Sequence, residues 1–303
     1  MSPDLNTDAQ VPLPALAHHR GCRCARHGRR LFTGALLAGA AAPLLAQQGL
    51  RDDVGRSSSF AKLVPAEEVE QAAAQQYAQM LREARGQRAL APAEHPQLQR
   101  LRAIADRIIP FSHPWNERAK GWHWEVNLIG SKEVNAFCMP GGKIAFYYGI
   151  LQRLQLDDDE VAMIMGHEVA HALREHARER MGKSAATRLG AGLLSSLFGL
   201  GGVGDAVLNI GGQLLTLKFS RDDESEADIV GLDLGARAGY DPRAGVRLWQ
   251  KMAKLQDGAP PPFLSTHPSG PSRIQDIEAR LPRVMPLYEA AARPARRYGA
   301  PPA

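Results

Sequence analysis

The chain has 303 residues, of which 44% are apolar, and a formal net charge of +5. This length and apolar content support one sizeable hydrophobic core with extensions. Residues 1–46 carry three of the five net positive charges. The basicity is therefore largely a property of that segment, which argues against a nucleic-acid partner.

Residues 1–46 have the pattern of a targeting segment. Arg29 and Arg30 precede an apolar run of about 16 residues, which is short for a membrane span of roughly 20. Small residues near Ala42 or Ala46 are typical of a bacterial signal-peptide cleavage site. The Arg-Arg-x-Phe order favours the twin-arginine route, with ordinary secretion as the alternative. We expect a cleaved leader and a periplasmic mature protein.

Cysteine usage fits this expectation. Cys22 and Cys24 lie in the leader, so Cys138 would be the only cysteine of the mature chain. An internal disulfide or a cysteine-based zinc site is therefore not expected.

Two helices are predicted after the leader. The polar stretch 51–62 predicts a flexible linker, and residues 67–85 predict an amphipathic helix. Residues 97–109 predict a second helix, which Pro110 ends.

A small sheet is predicted next. Residues 122–128 alternate as a strand does, and 134–139 and 143–148 flank a Pro140-Gly141-Gly142 turn. The turn predicts a hairpin, and together the three segments predict a small antiparallel sheet. His123, on the first strand, is expected to be structural or to face solvent.

His167, Glu168 and His171 match His-Glu-x-x-His, which is typical of the active-site helix of a zinc peptidase. At about 100° per residue the two histidines share one face and can hold one Zn²⁺. Glu168 borders that face, where its carboxylate can take a proton from water. Residues 157–160 supply an acidic helix start, and 161–165 are apolar on all sides, which predicts a buried helix.

This helix is predicted to continue to about Gly182. Glu175 would then lie about 12 Å along the axis from His167, and His176 would face roughly the opposite side. His176 is therefore expected at the surface or at a helix cap. A third zinc ligand must come from elsewhere in the chain.

Residues 190–204 are rich in Gly and Leu but too short for a convincing membrane span. A mobile lid, a hairpin that touches a membrane and a poorly packed loop over the core remain open alternatives. Asp205 is predicted to cap a helix that runs towards Phe219.

The acidic stretch 220–228 offers the missing ligand. Glu224 and Asp228 are four residues apart and share a helix face, so one can bind zinc while the other orients a ligating histidine. Glu226 points nearly opposite. The alternative is a solvated acidic helix start, which Asp223 fits better than Glu224 does.

Four motifs together resemble one protein family. They are His167-Glu168-x-x-His171, Ser220-Arg221-x-x-Glu224-x-Glu226-Ala227-Asp228, the strand and turn from Asn135 to Gly142, and Thr266-His267-Pro268 with Arg273. In this order they resemble the HtpX and CaaX-prenyl-protease family of zinc metallopeptidases, which are gluzincins. The resemblance runs from about Leu98 to Leu281 and is strongest to the periplasmic, BepA-type and the mitochondrial, Oma-type quality-control members.

The resemblance implies a set of roles. His167, His171 and Glu224 would bind one Zn²⁺ per chain, and Glu168 would be the catalytic base. Asp228 would orient a ligating histidine without binding the metal itself. The strand at Asn135, Ala136 and Phe137 would bind an extended protein or peptide substrate at its edge.

Two further residues keep open alternatives. His267 could donate to the oxyanion, bind zinc as a fourth ligand that holds the enzyme inactive, or be a plain loop histidine. Arg273 could polarise the substrate carbonyl, but a structural ion pair with acids near the site is favoured.

We therefore expect a mostly helical α+β fold of the gluzincin type, with a small antiparallel sheet beside the zinc helix. The expected organisation is a signal peptide (1–46), a linker and N-terminal helix (47–96), a metallopeptidase domain (97–285) and a C-terminal tail (286–303). The expected function is a zinc metalloendopeptidase that hydrolyses misfolded or unassembled cell-envelope proteins. The alternatives are a periplasmic chaperone-like or assembly factor with a latent zinc site, and a membrane-surface module built on residues 190–204.

Overall fold

The computed structural model describes residues 49–55, 57–197, 214, 217–255, 261–268 and 271–302. Within these ranges no helix combines the length and apolar character that a membrane crossing requires. The predicted leader lies outside the described residues. So do residues 198–204 of the Gly/Leu-rich stretch, whose first part, residues 190–197, is helical. The helix expected after Asp205 also lies outside the described residues, apart from residues 214 and 217–219.

Helices make up most of the described chain. In chain order they are α1 (Ala66–Gly86), α2 (Pro96–Ile108), α3 (Tyr148–Arg153), α4 (Asp158–Leu173), α5 (His176–Leu197), α6 (Arg221–Arg237), α7 (Ala244–Ala253), α8 (Pro262–Thr266) and α9 (Pro271–Ala290). The strands are β1 (Glu125–Ile129), β2 (Ala136–Met139) and β3 (Lys143–Tyr147). The predicted mostly helical fold with a small sheet is confirmed.

The sheet has the strand order β1-β3-β2. The predicted hairpin is confirmed, because β2 and β3 pair antiparallel around a turn in which Gly141 and Gly142 have φ of 80° and 77°. The expectation of a wholly antiparallel sheet is wrong for the other pair, since β1 and β3 run parallel. The chain reverses direction twice after β1, and β3 then inserts between β1 and β2, so it runs the same way as β1.

Helix α4 lies at the centre of the core. A capping box between Asp157 and Glu160 fixes its start, as the acidic residues predicted. Val161, Ile164 and Met165 are fully buried. The helix packs against β2, α2, α6 and α7, so every face of it is covered and its polar residues are held in fixed positions.

The predicted continuation of α4 to Gly182 is wrong. The helix ends at Leu173, Glu175 adopts a left-handed φ of 57°, and a new helix, α5, begins at His176. No glycine, asparagine or proline marks this turn, so helical periodicity alone could not find it.

The predicted flexible linker is also corrected. Two short 3-10 helices form at Arg51–Asp53 and Ser59–Leu63, and the second packs on α5. Buried Leu50 and Ala61 anchor them. His123 is exposed, as predicted.

Candidate metal centre

A close contact between two helices brings the histidine motif and the acidic motif together. Gly166 on α4 faces Gly231 on α6, and a Cβ added at Gly231 would lie 2.8 Å from the backbone nitrogen of His167. Any side chain at either position would force the helices apart. The contact places the first turns of α6, with Glu224 and Asp228, against the histidines of α4.

Four buried side chains converge between these elements. His167, His171, Glu224 and His267 each offer a donor atom, and the four atoms lie within 4.8 Å of one another. None of the four residues is more than 4% exposed. The three ligands expected from the sequence are therefore neighbours in the fold.

The spacing of these atoms suits one tetrahedral ion. The Nε2 atoms of His167 and His171 are 3.1 Å apart, and the Glu224 carboxylate lies 3.5 Å from the first and 3.4 Å from the second. Ligands about 2.0–2.2 Å from a tetrahedral zinc lie about 3.3–3.6 Å from each other. The donor set of two imidazoles and one carboxylate is one that zinc uses in catalytic sites.

Asp228 holds the far side of the His167 ring. The Nδ1–H of His167 donates to Asp228 Oδ1 at 3.0 Å, which leaves the Nε2 lone pair directed at the cluster. The Nε and Nη2 groups of Arg273 donate to the two oxygens of Asp228, at 2.8 and 2.7 Å. Its Nη1 donates to Glu224 at 2.7 Å, and its guanidinium lies 3.6 Å from the ring centroid of Trp249. Arg273 thus forms the buried ion pairs that the sequence favoured.

One carboxylate oxygen of Glu168 is buried and accepts no hydrogen bond from the described residues. The residue is 2% exposed, and its Oε1 has no hydrogen-bond partner among the described residues. Burial raises the pKa of Glu168. A buried acceptor without a partner is costly, and a water molecule beside a metal ion would satisfy it.

Two groups of the cluster, His171 and Glu224, have the protonation states that metal binding requires, and His167 does not. Burial lowers the pKa of His171, so this ring is neutral. Burial opposes ionisation of Glu224, but the charge of His267 and hydrogen bonds from the neighbouring imidazoles hold its pKa far below its usual range. Burial likewise opposes protonation of His167, yet its hydrogen bonds to Asp228 and Glu224 raise its pKa to about 9. Below that pH the His167 ring carries a proton on both nitrogens, so the proton on Nε2 must leave before a cation can bind there.

His267 lies inside the cluster rather than on an exposed loop. Its Nδ1 is 3.0 Å from Glu224 Oε1 and 3.3 Å from His167 Nε2, and its Nε2 is 3.6 Å from Glu168 Oε1. Phe263 stacks on the ring at 4.7 Å between centroids. This position is within reach of a metal held by the other three residues.

Strand β2 forms one wall of a cleft that opens onto the cluster. It is an edge strand of the described sheet, and Asn135, Ala136 and Phe137 line the cleft together with Glu168 and His171. Much of the remaining lining is apolar: Met139, Ala172, Ala177, Leu214, Leu217 and Phe219. The strand expected to bind substrate therefore borders the expected catalytic residues.

Sequence reasoning missed a second group behind His171. The expectation that His176 lies at the surface is wrong, since it is 1% exposed and its Nδ1 lies 2.8 Å from His171 Nδ1. Glu226, expected to point away, contacts His176 Nε2 at 3.3 Å. Phe219 stacks on the His171 ring at 4.0 Å between centroids. The turn at Glu175, which the sequence does not mark, brings His176 back to the site.

Comparison with known proteins gives a consistent picture. Residues 92–281 match Peptidase family M48. The chain is 40% identical over 162 residues to mitochondrial metalloendopeptidase OMA1 of Arabidopsis thaliana, covering 54% of this chain and 32% of that protein. It is 29% identical over 194 residues to metalloprotease LoiP of Escherichia coli K12, covering 63% and 73%.

A third relative matches over more of the chain. The beta-barrel assembly-enhancing protease of Yersinia pestis is 26% identical over 271 residues, which is 84% of this chain and 52% of that protein. The chain thus spans about a third of the plant relative and about half of the Yersinia one.

Proposed function

This chain belongs to peptidase family M48, and from that premise we propose that it is a zinc-dependent metalloendopeptidase with one Zn²⁺ per chain. His167, His171 and Glu224 hold the ion. The observation that carries the proposal is the spacing of their donor atoms, which suits a tetrahedral ion, beside a Glu168 carboxylate oxygen that accepts no hydrogen bond from the described residues.

Each residue has a defined task in peptide hydrolysis. Zinc, when bound, supplies Lewis acidity that polarises a carbonyl and lowers the pKa of water. Glu168 accepts a proton from the attacking water and delivers it to the nitrogen of the leaving amine, so the oxygen joins the carbonyl carbon as the C–N bond breaks. The raised pKa of Glu168 suits this exchange, because it makes the carboxylate a stronger base.

Asp228 and Arg273 support the ligands. Asp228 fixes the tautomer of His167, and Arg273 holds Asp228 and Glu224 in one arrangement through three hydrogen bonds. Their roles are therefore in positioning rather than in contact with the substrate.

The substrate is an extended polypeptide that pairs with the free edge of β2. Main-chain hydrogen bonds along the outer edge of β2 supply affinity with little sequence preference. The apolar lining of the cleft favours peptides with an apolar side chain beside the cleaved bond. Unfolded proteins expose such segments, which supports a role in protein quality control.

We also infer that the enzyme acts in the cell envelope. The support is the Arg29-Arg30 segment with its apolar run, which is typical of an exported chain. The relatives named OMA1 are called mitochondrial. Fractionation of a bacterial host that produces this chain tests directly whether it is in the cell envelope.

The Glu168→Gln variant tests the proposed function. The amide that replaces the carboxylate cannot accept the proton, so cleavage of an unfolded substrate such as casein should fall by at least about 10²–10⁴-fold. Bound zinc, measured by atomic absorption, should stay at one ion per chain because Glu168 is not a ligand. Glu117→Gln, on a side chain that is 78% exposed, is the matched control and should keep full activity.

Unchanged cleavage by Glu168→Gln would reject the mechanism. A chaperone-like activity that survives in the same variant would instead favour an assembly factor with a latent zinc site.

A further inference from the structure

A chain of polar contacts leads from His171 to Glu226 on the side away from the cluster. His176, the first residue of α5, places its Nδ1 2.8 Å from His171 Nδ1 and its Nε2 3.3 Å from Glu226 Oε2. The Nε of Arg174 donates to the same Glu226 oxygen at 2.9 Å. His176 and Arg174 are both buried, and the Glu226 side chain is 29% exposed.

When both imidazole rings are neutral, the hydrogen-bonding capacity of the groups sets the direction of each bond. A carboxylate only accepts, so the Nε2 of His176 donates to Glu226. In its neutral form the His176 ring has one donor and one acceptor, so with Nε2 donating, its Nδ1 accepts. The Nδ1 of His171 must then carry its proton and donate, which leaves the Nε2 lone pair of His171 directed at Glu224 and His167.

The opposite tautomers of the two rings would prevent His171 from binding a metal ion. With a proton on Nδ1 of His176, His171 would have to accept at Nδ1 and carry its own proton on Nε2. That proton would point at the cluster, where His167 Nε2 lies 3.1 Å away. An imidazole with a proton on the facing nitrogen cannot bind a metal through it.

We propose that Glu226 and His176 form a positioning relay that fixes the tautomer and the ring orientation of His171 for zinc binding. The relay does for His171 what Asp228 does directly for His167, with one additional ring in between. Arg174 holds the outer end by binding Glu226. The inference rests on the proposed function, since it assigns a task that only a ligating His171 requires.

A purely structural role is the competing explanation. Two hydrogen bonds to a buried ring would stabilise the fold whether or not a metal binds. The two explanations predict different zinc affinities for variants at His176. They also differ in whether a hydrogen-bond acceptor alone at that position restores the affinity.

The experiment compares zinc affinity in full-length variants by competition with a chromophoric chelator. His176→Phe keeps a ring of similar volume and removes both hydrogen bonds, so the zinc Kd should rise by about 10–100-fold. His176→Asn restores an acceptor near the position of Nδ1 and should recover most of that loss. His123→Phe, on an exposed residue, is the matched control and should leave the Kd unchanged.

Nuclear magnetic resonance supplies a second readout. Correlation of the imidazole ¹⁵N and ¹H nuclei distinguishes a proton on Nδ1 from one on Nε2. The wild-type chain should carry the proton of His176 on Nε2 and that of His171 on Nδ1, with zinc bound. Should His176→Phe fail to fold by circular dichroism, Glu226→Ala keeps the ring and should still weaken zinc binding.

The outcomes separate this inference from the proposed function. A His176→Phe chain that binds zinc as tightly as wild type, or a proton found on Nδ1 of His176, overturns the relay alone. A wild-type chain that binds zinc through a relay-dependent His171 but cleaves no peptide overturns the proposed function alone. A wild-type chain that binds no zinc overturns both.

Discussion

The side chain of His267 lies between the carboxylates of Glu224 and Glu168, 3.0 Å from the first and 3.6 Å from the second. We expect it to bind zinc as a fourth ligand and to keep the enzyme latent until the His267 side chain leaves the cluster. His267→Ala should then cleave peptides faster than wild type and bind zinc more weakly. Steady-state kinetics with the zinc content measured in parallel tests this expectation.

If His267 instead donates a hydrogen bond to the oxyanion, His267→Ala should cleave peptides more slowly than wild type. Loss of an oxyanion donor lowers kcat by about 10²–10³-fold. A fall of that size with unchanged zinc affinity would assign His267 to the substrate oxyanion rather than to the metal.

The sequence predicted the positions of some site residues and not of others. His167, Glu168 and His171 are close in sequence on one helix, so helical geometry relates them directly. Placing Glu224 beside them needed the resemblance to a family, because nothing local relates two helices. His176 was out of reach, since its position depends on a turn that breaks the helix where the sequence has no helix-breaking residue.

At the scale of elements, the contact between α4 and α6 sets the spacing of the donors. Gly231→Ala would place a Cβ 2.8 Å from His167 N, and relief of the overlap requires the helices to separate. We expect the variant to lose about 1–3 kcal/mol of unfolding free energy and to bind zinc more weakly. Urea denaturation and chelator competition measure the two effects.

Gly86→Ala is the matched control for this prediction. A Cβ at Gly86, the last residue of α1, meets nothing within 4 Å, so stability should be unchanged or slightly higher. Equal stability of Gly231→Ala and wild type would contradict the importance of the helix contact.

The elements themselves were predictable where the signal was local. The Pro140-Gly141-Gly142 turn and the acidic start of α4 each specify their own geometry, and both predictions are confirmed. The parallel pairing of β1 with β3 was not predictable, because it depends on which strand inserts between two others. Strand alternation gives no information about neighbours in a sheet.

For the whole molecule, the proposed zinc ion would join segments that are far apart in sequence. His167 and Glu224 lie on different helices, and a cation that binds only the native state stabilises it by mass action. At a free zinc concentration about 1,000 times the Kd, the gain is about 4 kcal/mol. A chelator should therefore lower the Tm of the full chain, as differential scanning calorimetry can measure.

The size of this gain should depend on pH in a defined direction. The pKa of His167 in the metal-free site is about 9, so below that pH zinc must displace a proton. Zinc affinity should fall about 10-fold for each pH unit below 9, and the zinc-dependent rise in Tm should shrink as the pH falls. A pH-independent rise in Tm would contradict the release of a proton from His167 on zinc binding.

The left-handed turn at Glu175 also limits how this architecture can diverge. An insertion or deletion between Leu173 and His176 would rotate α5 and carry its first imidazole away from His171. Extra residues between α5 and α6 would leave each donor on its own helix. Length variation among related chains should therefore concentrate in that connection and avoid the short turn.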